Sequence, residues 1–235
     1  VCNYIDEISH YDSKESLGSW LKREGVPALE VKDTRLLTQK IRDKGVLLGK
    51  IIINDEKINK FDNPDLRNLV KEVSTKKITY WGDGENTIVL IDCGTKRNII
   101  RRIVSRGFRV AQVPWDTDVT KLNFAYKGVV ISNGPGDPMR ALKTIKNIKK
   151  LAENKIPMLG ICLGNQILAL AFGGSTYKLK FGHRSQNQPV VESDTNKCYL
   201  TTQNHGFAVD KIPKGFNEWF YNANDKTNEG IIHES

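Results

Sequence analysis

The sequence predicts an α/β fold in which residues 85–235 form an open, mostly parallel sheet flanked by helices, preceded by part of a smaller α/β domain at residues 1–84. Apolar strands and amphipathic helices alternate through the second block, and this order is typical of parallel sheets that are covered on both faces. Glycine-containing turns follow several of the strands, which is where open α/β sheets place their ligands.

In the first block, two short amphipathic helices precede a polar connector. Residues 12–15 offer an N-terminal cap for the first helix, and the second helix, at 34–44, begins after Asp33. Leu37 and Ile41 fall on one side of the second helix, which predicts a buried stripe.

The later elements alternate until the pattern changes near residue 175. In chain order the sequence predicts a strand at 50–54, a connector to residue 84, a strand at 87–92, a helix at 96–107, strands at 108–114 and 127–133, a helix at 139–153, a strand at 156–161 and a helix at 163–174. Five shorter strands then follow at 177–180, 188–192, 198–203, 207–210 and 218–223. We expect these to be antiparallel additions to the sheet edge.

Composition limits the classes of function. With 39% hydrophobic and 27% charged residues over 235 positions, the chain has the balance of a globular protein and not of a disordered one. No run of about 18 apolar residues exists, so no membrane partner is expected. The 36 basic and 27 acidic side chains give a net charge of +9, but they are interleaved along helices. We therefore predict a solvated basic surface, and nucleic-acid binding is the weaker hypothesis for this charge.

Cysteine usage and the two termini indicate the setting. The cysteines at positions 2, 93, 162 and 198 include no C-x-x-C pair, so neither a metal site nor a disulfide scaffold is expected, and a cytoplasmic location is predicted. The chain opens without a signal peptide and stops in mid-pattern. We expect it to be a piece of a longer polypeptide.

The sharpest functional signal is Gly160-Ile161-Cys162-Leu163-Gly164, where a strand turns directly into a helix. This G-x-C-x-G pattern is the thiol counterpart of the G-x-S-x-G nucleophile elbow. Glycines permit the tight turn, and the helix N-terminus is expected to lower the pKa of the thiol. The free N–H groups, beginning with that of Leu163, are placed to hold an oxyanion. The alternative is that Cys162 is a small buried hydrophobe ahead of a core helix.

Two further motifs follow or end strands. The segment 132–138, Ser-Asn-Gly-Pro-Gly-Asp-Pro, indicates either close backbone approach to a ligand or an ordinary Gly/Pro turn. The segment 203–207, Gln-Asn-His-Gly-Phe, presents polar groups that suit a polar ligand. Taken alone, His205 and His183 are more typical of structural histidines than of a catalytic base.

Together these motifs resemble the small, glutamine-hydrolysing component of carbamoyl-phosphate synthase, within the class I glutamine amidotransferase family. The segments at 92–98, 132–138, 181–190 and 203–210 are similar to this synthase and not to its anthranilate-, aminodeoxychorismate- or GMP-making relatives. Residues 21–45 resemble the later part of the extra N-terminal domain of the synthase component. The resemblance implies the class I amidotransferase fold over nearly the whole chain.

The resemblance also implies roles for individual residues. Cys162 would attack the side-chain amide of glutamine and form a glutamyl thioester, which water then hydrolyses. The residues implied to hold the substrate and its oxyanion are Gly134, Gly136, Leu163, Gln166, Asn204, Gly206 and Phe207. The ammonia would pass to a large synthetase subunit or domain, which uses bicarbonate, ATP and Mg to make carbamoyl phosphate for pyrimidines and arginine. No cofactor is therefore expected in this chain.

The sequence departs from the family pattern at the catalytic base. The family takes its base and orienting acid from an H-P-E motif, which we expect beyond Ser235, because His233 is followed directly by Glu234. Asn165 also stands where the family often has a histidine. A non-catalytic domain that supports an ammonia-dependent synthetase is the alternative hypothesis.

Overall fold

The computed structural model describes residues 1–52, 57, 60–152 and 154–234. The chain divides into two compact units, Val1–Leu47 and Leu48–Ser235. None of the helices within the described ranges combines the length and the apolar character that a membrane crossing requires.

The first unit holds two helices, α1 (Leu17–Glu24) and α2 (Thr34–Lys44). Helix α1 begins after Ser16, whose hydroxyl accepts a hydrogen bond from a first-turn N–H at 3.2 Å, and not after the predicted cap at 12–15. Asp33 caps α2 as predicted, accepting from a backbone N–H at 2.8 Å. The predicted buried stripe was wrong for this unit, since Leu37 is 49% exposed.

The second unit contains the predicted alternation of strands and helices. Its elements are α3 (Leu69–Val73), β1 (Thr79–Trp81), β2 (Thr87–Asp92), α4 (Arg97–Val104), β3 (Arg109–Pro114), β4 (Gly128–Ile131), α5 (Leu142–Ala152), β5 (Met158–Gly160), α6 (Leu163–Ala171), β6 (Thr176–Glu192), β7 (Cys198–Val209), β8 (Phe216–Asn222) and β9 (Asn228–His233). Short 3-10 turns lie at Pro64–Leu66, Val119–Lys121 and Pro138–Arg140. Strand β1 was missed within the predicted connector. Of the predicted strand at 50–54, residues 50–52 form no strand and the rest lie outside the described residues.

The central sheet of the described residues has five strands in the order β1-β3-β2-β4-β5. Strands β3, β2, β4 and β5 are parallel, and β1 pairs antiparallel with β3 at one edge. The strand order reverses between β2 and β4, so the carboxyl ends of β2, β4 and β5 share the edge where such sheets bind ligands. The predicted open, mostly parallel sheet is confirmed.

Different helices cover the two faces of this sheet, because successive side chains of a strand point to opposite faces. Val89 and Ile91 of β2 belong to one buried cluster with Ile167 of α6. Leu90, between them in sequence, belongs to a second cluster with Ile100 of α4. The sheet is therefore buried on both faces, and its loops are left at the edges.

The strands after residue 175 do not extend the parallel sheet, and the prediction that they add to its edge was wrong. They form a separate, closed antiparallel sheet in the order β6-β7-β9-β8. Strand β6 is 17 residues long and pairs with β7 and with β8, so its hydrogen-bonding groups are used within this second sheet. Ala169 of α6 packs with Val209 and Ile231 of the second sheet and thereby joins it to the first.

Buried Asp92, at the end of β2, fixes the loop that leads into α4. Its Oδ1 accepts from the N–H groups of Gly94 and Thr95 at 3.0 and 2.8 Å. Its Oδ2 accepts from the Thr75 N–H at 2.8 Å and from Gln112 Nε2 at 2.9 Å. Burial by itself raises the pKa of Asp92, but the hydrogen bonds from the N–H groups of Thr95, Thr75 and Gly94 and from the Thr95 hydroxyl outweigh it, and the pKa lies below its ordinary value.

Replacing Asp92 with Asn is expected to lower the free energy of unfolding by about 2–3 kcal/mol at neutral pH, because hydrogen bonds to a charged acceptor are lost. A lowered folded-state pKa stabilises above the unfolded-state pKa, and this stability is lost as the pH falls through the folded-state pKa. In urea unfolding at several pH values, the difference between the two proteins should therefore shrink toward acid pH. Asp194→Asn, the same change at an exposed position, is the matched control, and its free energy of unfolding should stay within about 0.5 kcal/mol of the wild-type value. An equally small effect of Asp92→Asn would contradict the prediction.

Candidate active site

Cys162 occupies the sharp turn between β5 and α6. Its backbone has φ +54° and ψ −107°, and a positive φ is uncommon for residues other than glycine. The Ile161 N–H donates to the Ile131 carbonyl at 3.0 Å, so pairing with β4 continues up to the residue before the cysteine. The Asn165 N–H donates to the Cys162 carbonyl at 3.0 Å and begins the helix. This is the geometry of a nucleophile elbow, with the backbone strain that active sites often hold.

The two flanking glycines are required by the space at the turn. A Cβ added to Gly160 would lie 2.5 Å from the Asn165 nitrogen, and a Cβ on Gly164 would lie 2.8 Å from the Ile131 carbonyl carbon. Real Cβ atoms essentially never approach other atoms so closely. The start of α6 can therefore pack against β4 only because both flanking positions of the G-x-C-x-G motif are glycines.

The loops after β2 and β4 meet beside this turn. A Cβ on Gly134 would lie 2.7 Å from Leu163 Cδ2, so the two predicted oxyanion residues are neighbours. Asn133 joins the two loops, because its Nδ2 donates to the Gly94 carbonyl at 3.2 Å and its Oδ1 accepts from the Lys96 N–H at 3.1 Å. Three strand ends therefore contribute to one site.

A cavity of about 630 Å³ opens beside the nucleophile. Its lining includes four of the sequence-predicted residues, Cys162, Gln166, Asn204 and Phe207. Gln166 Nε2 donates to the Phe207 carbonyl at 2.7 Å, which ties α6 to β7. The fold thereby brings the elbow and the 203–207 segment into one pocket.

The remaining predicted residues, Gly134, Gly136, Leu163 and Gly206, are not among the described residues that line this cavity. Gly134 lies directly beside the side chain of Leu163. Gly136 has φ +83° and faces the side chain of Leu69. Gly206 lies beside Arg184, whose Nη2 would be 3.2 Å from an added Cβ.

A cluster that sequence reasoning missed borders the same cavity. Glu229 Oε1 lies 2.9 Å from His183 Nδ1, and Glu229 Oε2 lies 3.2 Å from His205 Nε2. The three side chains are only 8–11% exposed, and His205 and Glu229 line the cavity with Cys162. They come from β6, β7 and β9, so no spacing along the chain signals their meeting.

The contacts of this cluster shift the pKa of His205 within it and of Asp225 beside it. Burial lowers the pKa of His205, but the hydrogen bond and charge of Glu229 and the Phe207 carbonyl raise it, and its pKa lies above the ordinary value. Hydrogen bonds from Thr227 and His183 outweigh burial at Asp225 and lower the pKa of that carboxyl.

Opposing effects act on the Cys162 thiol. Cys162 is exposed to solvent, yet burial among protein atoms is the largest effect and raises the pKa of its thiol. The Leu163 N–H and the Lys96 charge lower this pKa, whereas the Glu229 charge raises it, and the result lies above the ordinary value. The expected lowering by the helix N-terminus is therefore present but outweighed. By comparison, Cys93 is buried and its pKa is raised to about 12, which makes it unreactive.

Removing the two charges should change the reactivity of Cys162 in opposite directions. Glu229→Gln is expected to speed iodoacetamide labelling of Cys162 at neutral pH, and Lys96→Met is expected to slow it, because only the thiolate reacts. Labelling rates measured by peptide mass spectrometry over a range of pH check both changes. Lys143→Met, at an exposed lysine paired with Asp116, is the matched control and should leave the rate unchanged. A labelling rate that rises in both variants, or falls in both, would contradict the assigned effects of the two charges.

Two family models match the chain. The model described as "Glutamine amidotransferase class-I" matches residues 89–235, and the one described as "Carbamoyl-phosphate synthase small chain, CPSase domain" matches residues 1–51. The first range includes the Cys162 elbow, the loop after β4 and the 203–207 segment.

Individual proteins are similar over very different lengths. The multifunctional protein CAD of Squalus acanthias is 50% identical over 97% of this chain, which spans 10% of that protein. The arginine-specific small chain of carbamoyl phosphate synthase from Saccharomyces cerevisiae is 43% identical over 99% of this chain, which spans 59% of it. A crystal structure of a glutamine amidotransferase from Thermotoga maritima aligns with a TM-score of 0.51 at 22% identity, over 64% of this chain and 73% of that one. The chain therefore spans less than two thirds of these two curated relatives, and the solved structure shares its fold.

Proposed function

Because the chain belongs to the class-I glutamine amidotransferase family, whose model matches residues 89–235, we propose that it is the glutamine-hydrolysing part of a carbamoyl-phosphate synthase. The observation that supports this most is the strained elbow at Cys162, beside a cavity shared with Gln166, Asn204 and Phe207. The match of residues 1–51 to the small chain of this synthase favours it over other amidotransferases. In this proposal residues 1–84 comprise the later part of the N-terminal domain and a connector, and residues 85–235 belong to the amidotransferase domain.

The proposed reaction is a double displacement at the side-chain amide of glutamine. Cys162 Sγ bonds to the amide carbon, the C–N bond breaks as the nitrogen takes a proton, and ammonia leaves a glutamyl thioester. Water then adds to the thioester carbon, and glutamate leaves as the thiol is restored. The N–H groups of Leu163 and Gly134 would stabilise the oxyanion, each contributing a rate factor of about 10²–10³. Gly136, Gln166, Asn204, Gly206 and Phe207 would hold the substrate.

The first step needs a base, because the pKa of the Cys162 thiol is raised. His205 lines the cavity, but its Nδ1 lies 2.9 Å from the Phe207 carbonyl and its Nε2 lies 3.2 Å from Glu229 Oε2. Both ring nitrogens thus have other partners. We therefore infer that the base is the histidine of the H-P-E motif that the family resemblance implies.

The proposed partner is the large synthetase subunit or domain, which would combine the ammonia with bicarbonate and ATP for pyrimidine or arginine synthesis. Nucleophilic attack by a thiol and hydrolysis of a thioester use no coenzyme, so we propose no cofactor for this chain and assign ATP and Mg to the synthetase. We propose a cytoplasmic location, which the free thiols of Cys2, Cys93, Cys162 and Cys198 favour. Microscopy of a fluorescent fusion of the parent protein tests the location.

In the intact parent protein, Cys162→Ser is expected to reduce glutamine-dependent carbamoyl phosphate synthesis by at least about 10³-fold while ammonia-dependent synthesis persists, because only the ammonia supply uses the thiol. Steady-state rates with each nitrogen source measure this. Cys2→Ser, at an exposed cysteine of the first unit, is the matched control and should keep both activities.

The same experiment separates the proposal from the alternative of a non-catalytic domain. Unchanged glutamine-dependent synthesis in the Cys162→Ser protein would show that the thiol has no part in the reaction. Loss of both activities in a folded Cys162→Ser protein would contradict the assigned role as well.

A further inference from the structure

The cluster of His183, His205 and Glu229 has the composition of a metal site. Each residue offers one ligand atom, and these atoms lie within 4.8 Å of one another. Among the described residues, these three are the group of histidine, cysteine or carboxylate side chains that lie close enough together to hold one metal ion. Two imidazoles and one carboxylate are a ligand set that binds Zn²⁺ in proteins, with a further position for water or another ligand.

The remote nitrogen of each histidine already has an acceptor. His183 Nε2 lies 2.8 Å from Asp225 Oδ2, and His205 Nδ1 lies 2.9 Å from the Phe207 carbonyl. Metal-binding histidines typically donate their second N–H to a carboxylate or a backbone carbonyl in this way, which fixes the tautomer and orients the ring. The nitrogens that remain, His183 Nδ1 and His205 Nε2, are those that face Glu229.

The centre of the cluster holds more acceptors than donors. The Asn222 Nδ2 group donates to Glu229 Oε1 at 3.4 Å and lies 3.4 Å from His183 Nδ1, and it is the neutral donor there among the described contacts. If each ring donates its remote N–H, the two inner nitrogens present lone pairs to the oxygens of Glu229 at 2.9 and 3.2 Å. The Gln203 Oε1 also lies 2.8 Å from His183 Nδ1 and 3.2 Å from His205 Nε2, and it adds a further acceptor. Buried acceptors in mutual contact are unfavourable without a shared proton or cation. Two additional protons or one divalent cation would satisfy the same atoms.

We propose that His183, His205 and Glu229 form a Zn²⁺ site, with Gln203 Oε1 at the fourth position and with Asp225 and the Phe207 carbonyl orienting the two imidazoles. The sequence analysis expected no metal site from the spacing of the cysteines. The site proposed here could not be seen in the sequence, because its ligands come from three different strands. Since His205 and Glu229 also line the Cys162 cavity, Zn²⁺ bound here would form part of the wall of that cavity.

The test is a Zn²⁺ titration of the full chain against a chromogenic chelator, in the absence of glutamine. Wild type is expected to bind one ion, and Glu229→Gln and His205→Asn should each weaken this binding by more than about 100-fold, beyond the 10- to 100-fold loss expected for an outer partner. Asp225→Asn should show that smaller loss of about 10- to 100-fold. His10→Asn, at an exposed histidine of the first unit, is the matched control and should bind as wild type does.

X-ray absorption on the Zn²⁺-loaded wild type keeps the proposal falsifiable if a variant fails to fold. Nitrogen and oxygen ligands with imidazole scattering, unchanged in Cys162→Ser, are expected. A sulfur ligand, no binding by wild type, or full binding by a folded Glu229→Gln protein would overturn the site. Because metal binding is measured without any reaction, its failure leaves the proposed glutamine hydrolysis untouched.

Discussion

The rest of the site depends on the close packing of the start of α6 against the end of β4, directly after the turn from β5. Gly164 runs so close to the Ile131 backbone that a Cβ has no room, and Gly160 is equally close to Asn165. Cys162, between them, takes a positive φ that costs about 1–3 kcal/mol for such a residue. The buried cluster that contains Ile131 and Ile167 holds this strain in place. The cysteine is thereby fixed and still exposed to solvent at the sheet edge.

From that turn outward, the site is assembled by hydrogen bonds between loops and between the two sheets. Asn133 connects the loops after β2 and β4, and Asp92 fixes the first of them by accepting hydrogen bonds from the N–H groups of Gly94 and Thr95. The bond from Gln166 to the Phe207 carbonyl connects the elbow helix to the closed sheet. The second sheet therefore supplies one wall of the cavity and also the partly buried Glu229, whose charge opposes ionisation of the thiol. Nucleophile position and nucleophile acidity are set by different parts of the fold.

The parallel half of the fold could be predicted from the sequence because its signals are local. The apolar run at 87–92 and the helix that follows are both visible in short windows of sequence. The nucleophile is equally local, since the glycines it needs are two residues away on each side. The closed sheet could not be predicted, because β6 pairs with β7 through register shifts at 178–183 and 185–188, and such pairing depends on residues far apart in sequence. The predicted lowering of the pKa of the Cys162 thiol was wrong for the same reason. The helix N-terminus acts locally, whereas burial and the charge of Glu229 depend on residues far away in sequence.

The central claim is that the close packing of the β5–α6 turn, which Gly160 and Gly164 permit, places Cys162 for nucleophilic attack. The rate at which an electrophilic glutamine analogue modifies Cys162 tests this claim most directly. In a folded Gly164→Ala protein the added Cβ must displace the turn, and misplacement on the order of 1 Å lowers such rates about 100-fold. Gly49→Ala, where an added Cβ meets nothing within 4 Å, should react at the wild-type rate. A folded Gly164→Ala protein that is modified at the wild-type rate would contradict the claim.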